Sequence, residues 1–205
     1  GLLQETASKA LYPYGHPYSW LTIGYIEDLN RGDVNDLKNF FLRWYGPNNA
    51  TLTIGGDVKP ADAVKLVEKY FGSIPRGPEV SPVVVPPAIL KSDRYVSYVD
   101  NYAKLPLVYL TFPTVPNYHK DMAALQCLAQ VLGQGKNSLL YQNMVKTQQS
   151  VQASAQSSLS ELAGEFSFIA LPFPGKNLAD MEKMIRASLD SFEKRGVTDE
   201  DITKF

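Results

Sequence analysis

The chain has 205 residues, with 20 Lys and Arg against 21 Asp and Glu, for a formal net charge of −1. This balance gives no basic excess for nucleic acid or an anionic membrane surface, and no apolar run is long enough to span a bilayer. Apolar residues make up 44% and charged residues 20%, which predicts a globular chain with a sizeable core. The single cysteine, Cys127, excludes an internal disulfide and a multi-cysteine metal cluster.

The first 75 residues predict three helices and one strand. Asp33 is a good N-cap for a run with apolar residues at the i, i+3, i+4 and i+7 positions, and Pro60 stands where a second such run starts. A β-branched, alternating stretch lies between these two runs and predicts a strand. The predicted elements are a helix that ends near residue 11, a helix over 33–45, a strand over 50–55 and a helix over 60–72.

Residues 73–90 differ in composition from the rest of the chain. Five prolines fall between Pro75 and Pro87, and they exclude a helix or an interior strand. We therefore expect a semi-extended linker over residues 76–90, which makes it the best candidate for a domain boundary.

The part of the chain after the linker predicts a mixture of strands and helices. Its elements are strands over 94–99 and 105–112, a helix over 121–132 that restarts over 138–146, strands over 151–159 and 164–171, and a helix over 178–194. Strands and helices that are segregated in this way predict an α+β fold, with helices packed on a mainly antiparallel sheet.

Residue types and spacing alone predict no catalytic constellation. His16 and His119 are the two histidines, and they are too far apart in sequence to form a local metal pair on a helix. The segment 133–138 lacks the spacing of a phosphate-binding loop and joins two helices, so a flexible helix–helix connection is the simpler interpretation. The serines of residues 154–160 have no matching His and Asp partners.

The two termini predict that the chain is part of a longer polypeptide. It begins with Gly1 and has no signal peptide. It ends within residues 198–205, where Thr198 and the acidic residues after it are typical of the first turn of a helix. A short C-terminal helix is the alternative interpretation.

Several segments in order resemble one known family. They are Leu11-Tyr-Pro-Tyr-Gly-His-Pro-Tyr18, Thr22-Ile-Gly24, the run from Asp36 to Ala50, Thr53-Ile-Gly-Gly-Asp57, Lys69-Tyr-Phe-Gly-Ser-Ile-Pro75 and Leu132-Gly-Gln-Gly-Lys-Asn-Ser-Leu-Leu-Tyr141. The ordered set resembles the insulinase/pitrilysin family of zinc metallopeptidases, whose signature is the inverted His-x-x-Glu-His motif. Its appearance is most similar to the large bacterial members.

The resemblance implies a domain organisation and a place for the metal. Members of this family consist of repeated α+β units that face each other around a chamber. Residues 1–75 would be the latter part of a first, metal-type unit, and residues 91–205 the earlier part of a second, non-metal unit. The inverted motif is absent from this sequence, so the resemblance implies no catalytic or metal-binding residue in the chain and places zinc in the parent protein.

The resemblance also singles out residues at a possible substrate chamber. Gly133, Gly135 and Ser138 lie in a segment that looks like the family's glycine-containing connection. Some units carry a substrate-binding Arg and Tyr seven residues apart after this connection. Val145 and Gln152 stand at those places here, so this unit resembles the structural companion of a metal unit. The alternative is that Val145 is a core residue.

The leading hypothesis is a non-catalytic segment of an insulinase-like zinc metalloendopeptidase, which forms chamber wall and interdomain packing around a peptide substrate. Its partner would be the remainder of the polypeptide or a companion subunit, with no nucleic acid and no membrane span. The resemblance implies a periplasmic or cell-envelope location in a bacterium. Two alternatives are a catalytically dead family member that serves as an assembly subunit, and a stand-alone domain that binds peptides at its sheet edge.

Overall fold

The computed structural model describes residues 2–203, which form two compact units. The larger unit comprises residues 1–21 and 85–205, and the smaller unit comprises residues 22–84. Residues 2–21 therefore pack with the second half of the chain. The predicted boundary at 76–90 concerns the family's repeated units, and that division remains a prediction.

The described residues contain seven α-helices and three strands. They are α1 (Leu2–Leu11), α2 (Ile26–Leu29), α3 (Val34–Trp44), α4 (Pro60–Phe71), β1 (Val108–Thr114), α5 (Met122–Gly133), β2 (Ser150–Leu159), β3 (Gly164–Pro172), α6 (Leu178–Arg195) and α7 (Asp199–Thr203). A π-helical turn, Tyr141–Val145, lies between α5 and β2. None of the described helices has the length and apolar character that crossing a membrane requires.

The sheet of the larger unit has three antiparallel strands in the order β1-β3-β2. β2 and β3 form a hairpin, and β1 pairs with the other edge of β3, with Leu110 opposite Phe168. Helices α5 and α6 both contact this sheet. The predicted α+β class, with helices on an antiparallel sheet, is confirmed.

One face of the sheet forms the main core. Alternate residues of a strand point to the same face, so Ala153 and Ala155 of β2 lie beside Ala170 and Phe168 of β3 and meet the helices. The side chains that are fully buried in this core include Leu140, Met144, Met181 and Ile185. Gln152, Ser154 and Gln156 of β2 lie on the opposite face of the sheet, which we call the second face.

The smaller unit consists of amphipathic helices that bury none of their residues. Asp33 caps α3 with a capping box, in which its carboxylate accepts from the Asp36 N–H and the Asp36 carboxylate accepts from the Asp33 N–H, as the sequence predicts. The apolar residues at helical spacing in α3 and α4 are nevertheless exposed; they include Leu37, Phe40, Phe41, Val64 and Tyr70.

Two predicted strands are wrong. Residues 50–55 and 94–99 are neither strand nor helix in the structure, although both have β-branched or aromatic residues. A strand is stable only when a neighbour satisfies its backbone N–H and C=O groups, and none of the described strands pairs with either segment. Local composition predicts a tendency to extend, and pairing decides whether a strand forms.

Other element boundaries shift by a few residues. β1 begins at Val108, three residues later than the predicted strand, and the helix predicted over 138–146 contains the π-helical turn. The Thr198 N-cap is present, since its hydroxyl accepts from the Asp201 N–H at 3.2 Å, and α7 follows it. The last two residues of the predicted helix lie outside the described residues.

Candidate functional site

The glycine connection brings α5 very close to β2. A Cβ placed on Gly133 would lie 1.9 Å from the Ala155 backbone nitrogen, so only glycine fits at this contact. Gly135 has φ +76° with open space around it, and its carbonyl accepts a hydrogen bond from the buried Ser138 hydroxyl at 2.8 Å. Ser138 therefore closes the turn, and Gly133 fixes the distance between helix and strand.

The structure does not bring Val145 and Gln152 together in one polar site. Val145 is half-buried and packs against the main core, whereas the Gln152 side chain is exposed on the second face of the sheet. The core interpretation therefore applies to Val145. The π-helical turn that ends at Val145 leads into β2 and sets where Gln152 emerges.

Gln152 lies in a shallow depression of about 120 Å³ on the second face. Its lining comes from all three strands: Tyr109 of β1, Gln152, Ser154 and Gln156 of β2, and Ser167 and Ile169 of β3. Of this set, Gln152 is the one residue that the sequence indicates as a candidate. The alternation of polar residues along β2 was the available signal, but it also fits a strand with one solvated face.

A second concave region lies between α5 and β2, and we call it the α5–β2 groove. It has a volume of about 340 Å³ and is lined by Gln126, Ala129, Gln130, Gln134 and Ser157. The Ser157 hydroxyl is buried and has no hydrogen-bond partner among the described residues. The sequence did not single out the three glutamines: Gln126 and Gln130 lie four residues apart on one side of α5, and Gln134 follows the end of the helix with an extended backbone.

An aromatic cluster attaches residues 12–18 to the rest of the larger unit. The His16 ring stacks on Tyr12 with centroids 4.6 Å apart, and its Nδ1 accepts from the Tyr18 N–H at 3.0 Å. The Tyr18 hydroxyl accepts from the Leu162 N–H at 3.1 Å, at the turn between β2 and β3. The Tyr18–Leu162 hydrogen bond joins residues that are 144 positions apart in the sequence.

Burial controls the ionisation of this cluster. His16 is 2% exposed, and this desolvation lowers the pKa of its imidazole below the ordinary 6.5. Its Nε2 is buried with no hydrogen-bond partner among the described residues. Burial, and then the neighbouring Glu165 carboxylate, raises the pKa of the Tyr12 phenol. The surroundings of His16 therefore favour the neutral form of its imidazole.

We expect the larger unit to lose stability as the pH falls. Because the folded-state pKa of His16 is below 6.5, the unfolded chain binds the proton more readily, so the stabilisation is present above about pH 6.5 and is lost below it. Urea unfolding between about pH 7 and about pH 5 should show a falling free energy of unfolding.

A single variant separates this effect from general acid sensitivity. His16→Gln should flatten the pH dependence over that range. An unchanged slope in His16→Gln would show that His16 does not titrate on unfolding.

The residues present do not fit a zinc ion. Among residues 2–203, no group of three or more His, Cys, Asp or Glu side chains could hold a metal. Gln126, Ala129 and Gln130 have the spacing of the two His and the Glu in the inverted motif, but they offer neutral amides and a methyl group. Zinc in proteins is bound by His, Cys and carboxylate side chains, and these three positions offer none.

The comparisons with known proteins identify the family. The fold, with helices packed on an antiparallel sheet, is that of a peptidase-like unit, and residues 33–204 match the family model described as the peptidase M16 inactive domain. The chain belongs to the peptidase M16 family. The resemblance to insulinase and pitrilysin is thereby confirmed.

Two curated relatives are zinc-protease or processing-peptidase proteins. The zinc protease PqqE of Helicobacter pylori is 29% identical over 211 residues, which cover 100% of this chain and 46% of that protein. The β subunit of the mitochondrial-processing peptidase of Caenorhabditis elegans is 27% identical over 125 residues, covering 58% of this chain and 26% of that protein. Hence the chain spans about half the length of PqqE, and the family includes a protein named as a subunit.

Solved structures share the fold. A protease from Helicobacter pylori aligns with a TM-score of 0.82 at 28% identity, covering 100% of this chain and 50% of the other. The first half of the periplasmic protease PqqL from Escherichia coli aligns with a TM-score of 0.71 at 17% identity, covering 100% and 45%. At 17% identity, the second likeness concerns the fold alone.

Proposed function

We propose that this chain is a non-catalytic segment of an insulinase-like zinc metalloendopeptidase, where it forms part of the wall of a substrate chamber and packs between the units of that protein. The observation that carries this proposal is the second face of the sheet. Its depression is lined by side chains that bear no charge, all of them polar except Ile169, on a unit whose described residues hold no metal site.

The chemistry of the second face suits an extended peptide. Gln152, Ser154 and Gln156 carry groups that can donate and accept hydrogen bonds, and within residues 2–203 their side chains have no hydrogen-bond partner. Such a surface can bind peptide amides without selecting a charge. Affinity there would come from several neutral hydrogen bonds, each worth about 0.5–1.5 kcal/mol.

The proposal also covers the source of the zinc and the cellular location of the protein. Zinc and the inverted motif would be supplied by the rest of the parent polypeptide or by a companion subunit, in line with the zinc protease PqqE and with the processing-peptidase subunit. A periplasmic location in a bacterium is supported by the likeness to the periplasmic protease PqqL.

The proposal is tested by the binding of an unfolded polypeptide to the second face. Fluorescein-labelled casein is titrated with the chain in EDTA, and fluorescence anisotropy gives the dissociation constant. The double variant Gln152→Ala with Gln156→Ala should bind about ten-fold more weakly, because two neutral hydrogen bonds are lost. Lys183→Ala, on the exposed side of α6, should bind like the parent chain. Absence of binding, or equal binding by all three proteins, would contradict the proposal.

A further inference from the structure

We infer that residues 2–21 form a strap over one end of the second face, and that uptake of a proton by His16 opens this strap while the main core stays folded. The covered end adjoins the depression in which we place the peptide. The inference therefore rests on the proposed function where it concerns peptide binding, and it adds a regulation of that site. The opening itself is measured without any ligand.

The strap lies on the second face of the sheet. Its Tyr12 phenol is beside the Glu165 carboxylate of β3 and near Tyr109 of β1. Glu165 and Tyr109 point to the second face, as Ser167 does, because alternate residues of a strand share a face. Helices α5 and α6 pack on the other face, in the main core, whereas α1 contacts β1. Within the described residues, the strap therefore covers the second face at β1.

A buried hydroxyl marks the surface under the strap. Thr111 lies between Tyr109 and Pro113 on the second face of β1, opposite Ser167. The Thr111 Oγ1 is buried and has no hydrogen-bond partner among residues 2–203, and Ser167 is 7% exposed. A buried polar group without a partner costs free energy. Opening the strap would expose both hydroxyls beside Gln156 and lengthen the row of uncharged polar groups in the depression.

A small cluster that is separate from the main core holds the strap. Its buried members and the side chains packed against them are Leu11, Tyr12, Ala163, Tyr18, Ala88 and Leu90, and none of these belongs to the main core. Two long-range hydrogen bonds add to it: the Tyr18 hydroxyl accepts from the Leu162 N–H, and Arg94 donates to the Ala10 carbonyl. A segment with so few buried contacts opens at a lower free energy than the whole unit, so the strap can open alone.

His16 couples this opening to pH through its hydrogen bonds. The ring lies between Tyr12 and Tyr18, and its Nδ1 accepts from the Tyr18 N–H. The neutral ring therefore carries its proton on Nε2, which is buried without a partner among the described residues. A second proton must go to Nδ1, where it removes the bond from Tyr18 and leaves a buried cation. In the open strap, water satisfies both nitrogens.

The charged groups around His16 do not offset this cost. The titratable and charged groups of the surrounding elements are Tyr12, Tyr18, Tyr109 of β1, Glu165 of β3, Arg94 before β1, and Glu5 and Lys9 of α1. Glu165 lies beside the Tyr12 phenol, and Glu5 pairs with Lys9 at 2.6 Å. Among residues 2–203, no carboxylate forms a hydrogen bond or an ion pair with the His16 ring. The closed strap therefore disfavours the imidazolium.

The opening is tested by hydrogen exchange and mass spectrometry at about pH 7.5 and about pH 5.5, with correction for intrinsic exchange rates. Since the open strap has the ordinary imidazole pKa of 6.5 and the closed strap a lower one, the opening equilibrium of residues 2–21 should rise about ten-fold over this range. Amides of β2 and β3 should exchange at least about a hundred-fold more slowly than those of the strap at both pH values.

His16→Asn is the matched variant, because its amide oxygen can accept the Tyr18 N–H and cannot take up a proton in this range. Its strap should open equally at both pH values. Tyr18→Phe, which removes the hydroxyl bonded to Leu162, should open more at both pH values and keep the ten-fold rise. Equal opening of strap and main-core amides in the parent chain, or a ten-fold rise that persists in His16→Asn, would overturn the inference.

The effect on the site is measured with a rhodamine-labelled short peptide that has no ionisable side chains, so that only the chain titrates. Affinity follows the open fraction, so the parent should bind this peptide about ten-fold more tightly at about pH 5.5 than at about pH 7.5, and His16→Asn equally at both. Equal binding by the parent despite a ten-fold rise in opening would contradict the link between strap and site. If the strap opens as described but the peptide binds at neither pH, the proposed function fails and the strap stands. If the peptide binds and strap exchange does not change with pH, the proposed function stands without the strap.

Discussion

Replacing Gly133 with alanine should destabilise the larger unit by about 3 kcal/mol or more. The added Cβ would lie 1.9 Å from the Ala155 nitrogen and 2.6 Å from the Ala155 Cβ, so α5 or β2 must move. Because Ala155 is itself fully buried, the shift would spread into the main core. Urea unfolding followed by circular dichroism measures the loss.

Gly135→Ala is the control for Gly133→Ala, because the two glycines differ in their surroundings. A methyl group added to Gly135 would have no other atom within 4 Å, and its cost comes from φ +76°, about 1–2 kcal/mol for an L-residue. Equal losses in the two variants would show that the close approach of α5 to β2 does not matter for stability.

Met144→Ala should cost about 2–5 kcal/mol, because this side chain is completely buried in the main core and its removal leaves a cavity. The neighbouring change Val145→Arg should cost less, about 1 kcal/mol, since Val145 is only half-buried and an arginine can place its guanidinium in water. Thermal and urea unfolding of both variants give the comparison.

The outcome for Val145→Arg also bears on its interpretation. A loss as large as that of Met144→Ala would place position 145 fully in the core. If Val145→Arg instead gained peptide affinity about ten-fold with no loss of stability, position 145 would face the substrate, and the companion-unit interpretation would fail.

Local signals allowed the longer helices and the β2–β3 hairpin to be predicted, but not the four-residue helix α2. Asp33 predicted the start of α3, and the helix predicted over 178–194 corresponds to α6. Pairing between distant segments could not be read in the same way. Residues 50–55 and 94–99 have strand composition but no described strand beside them, whereas β1 pairs with β3, which lies fifty or more residues away in the sequence.

The candidate sites were only partly predictable for a related reason. Gln126, Gln130 and Gln134 are polar residues at helical spacing, a pattern that usually marks a solvated face. They form one side of a groove because β2 lies next to them in the folded structure. The stacking of His16 on Tyr12 is a local contact, but the attachment of Tyr18 to Leu162 joins residues 144 positions apart and could not be predicted from local sequence.

The central claim is that this chain carries no catalytic metal of its own and acts by binding peptide. The most direct measurement is metal analysis of the dialysed chain after addition of excess zinc, with hydrolysis of the labelled casein followed in the same sample. The account predicts much less than one zinc per chain and no hydrolysis, while casein binding persists in EDTA. About one zinc per chain that is lost in His16→Ala, or cleavage of casein that EDTA stops, would contradict it.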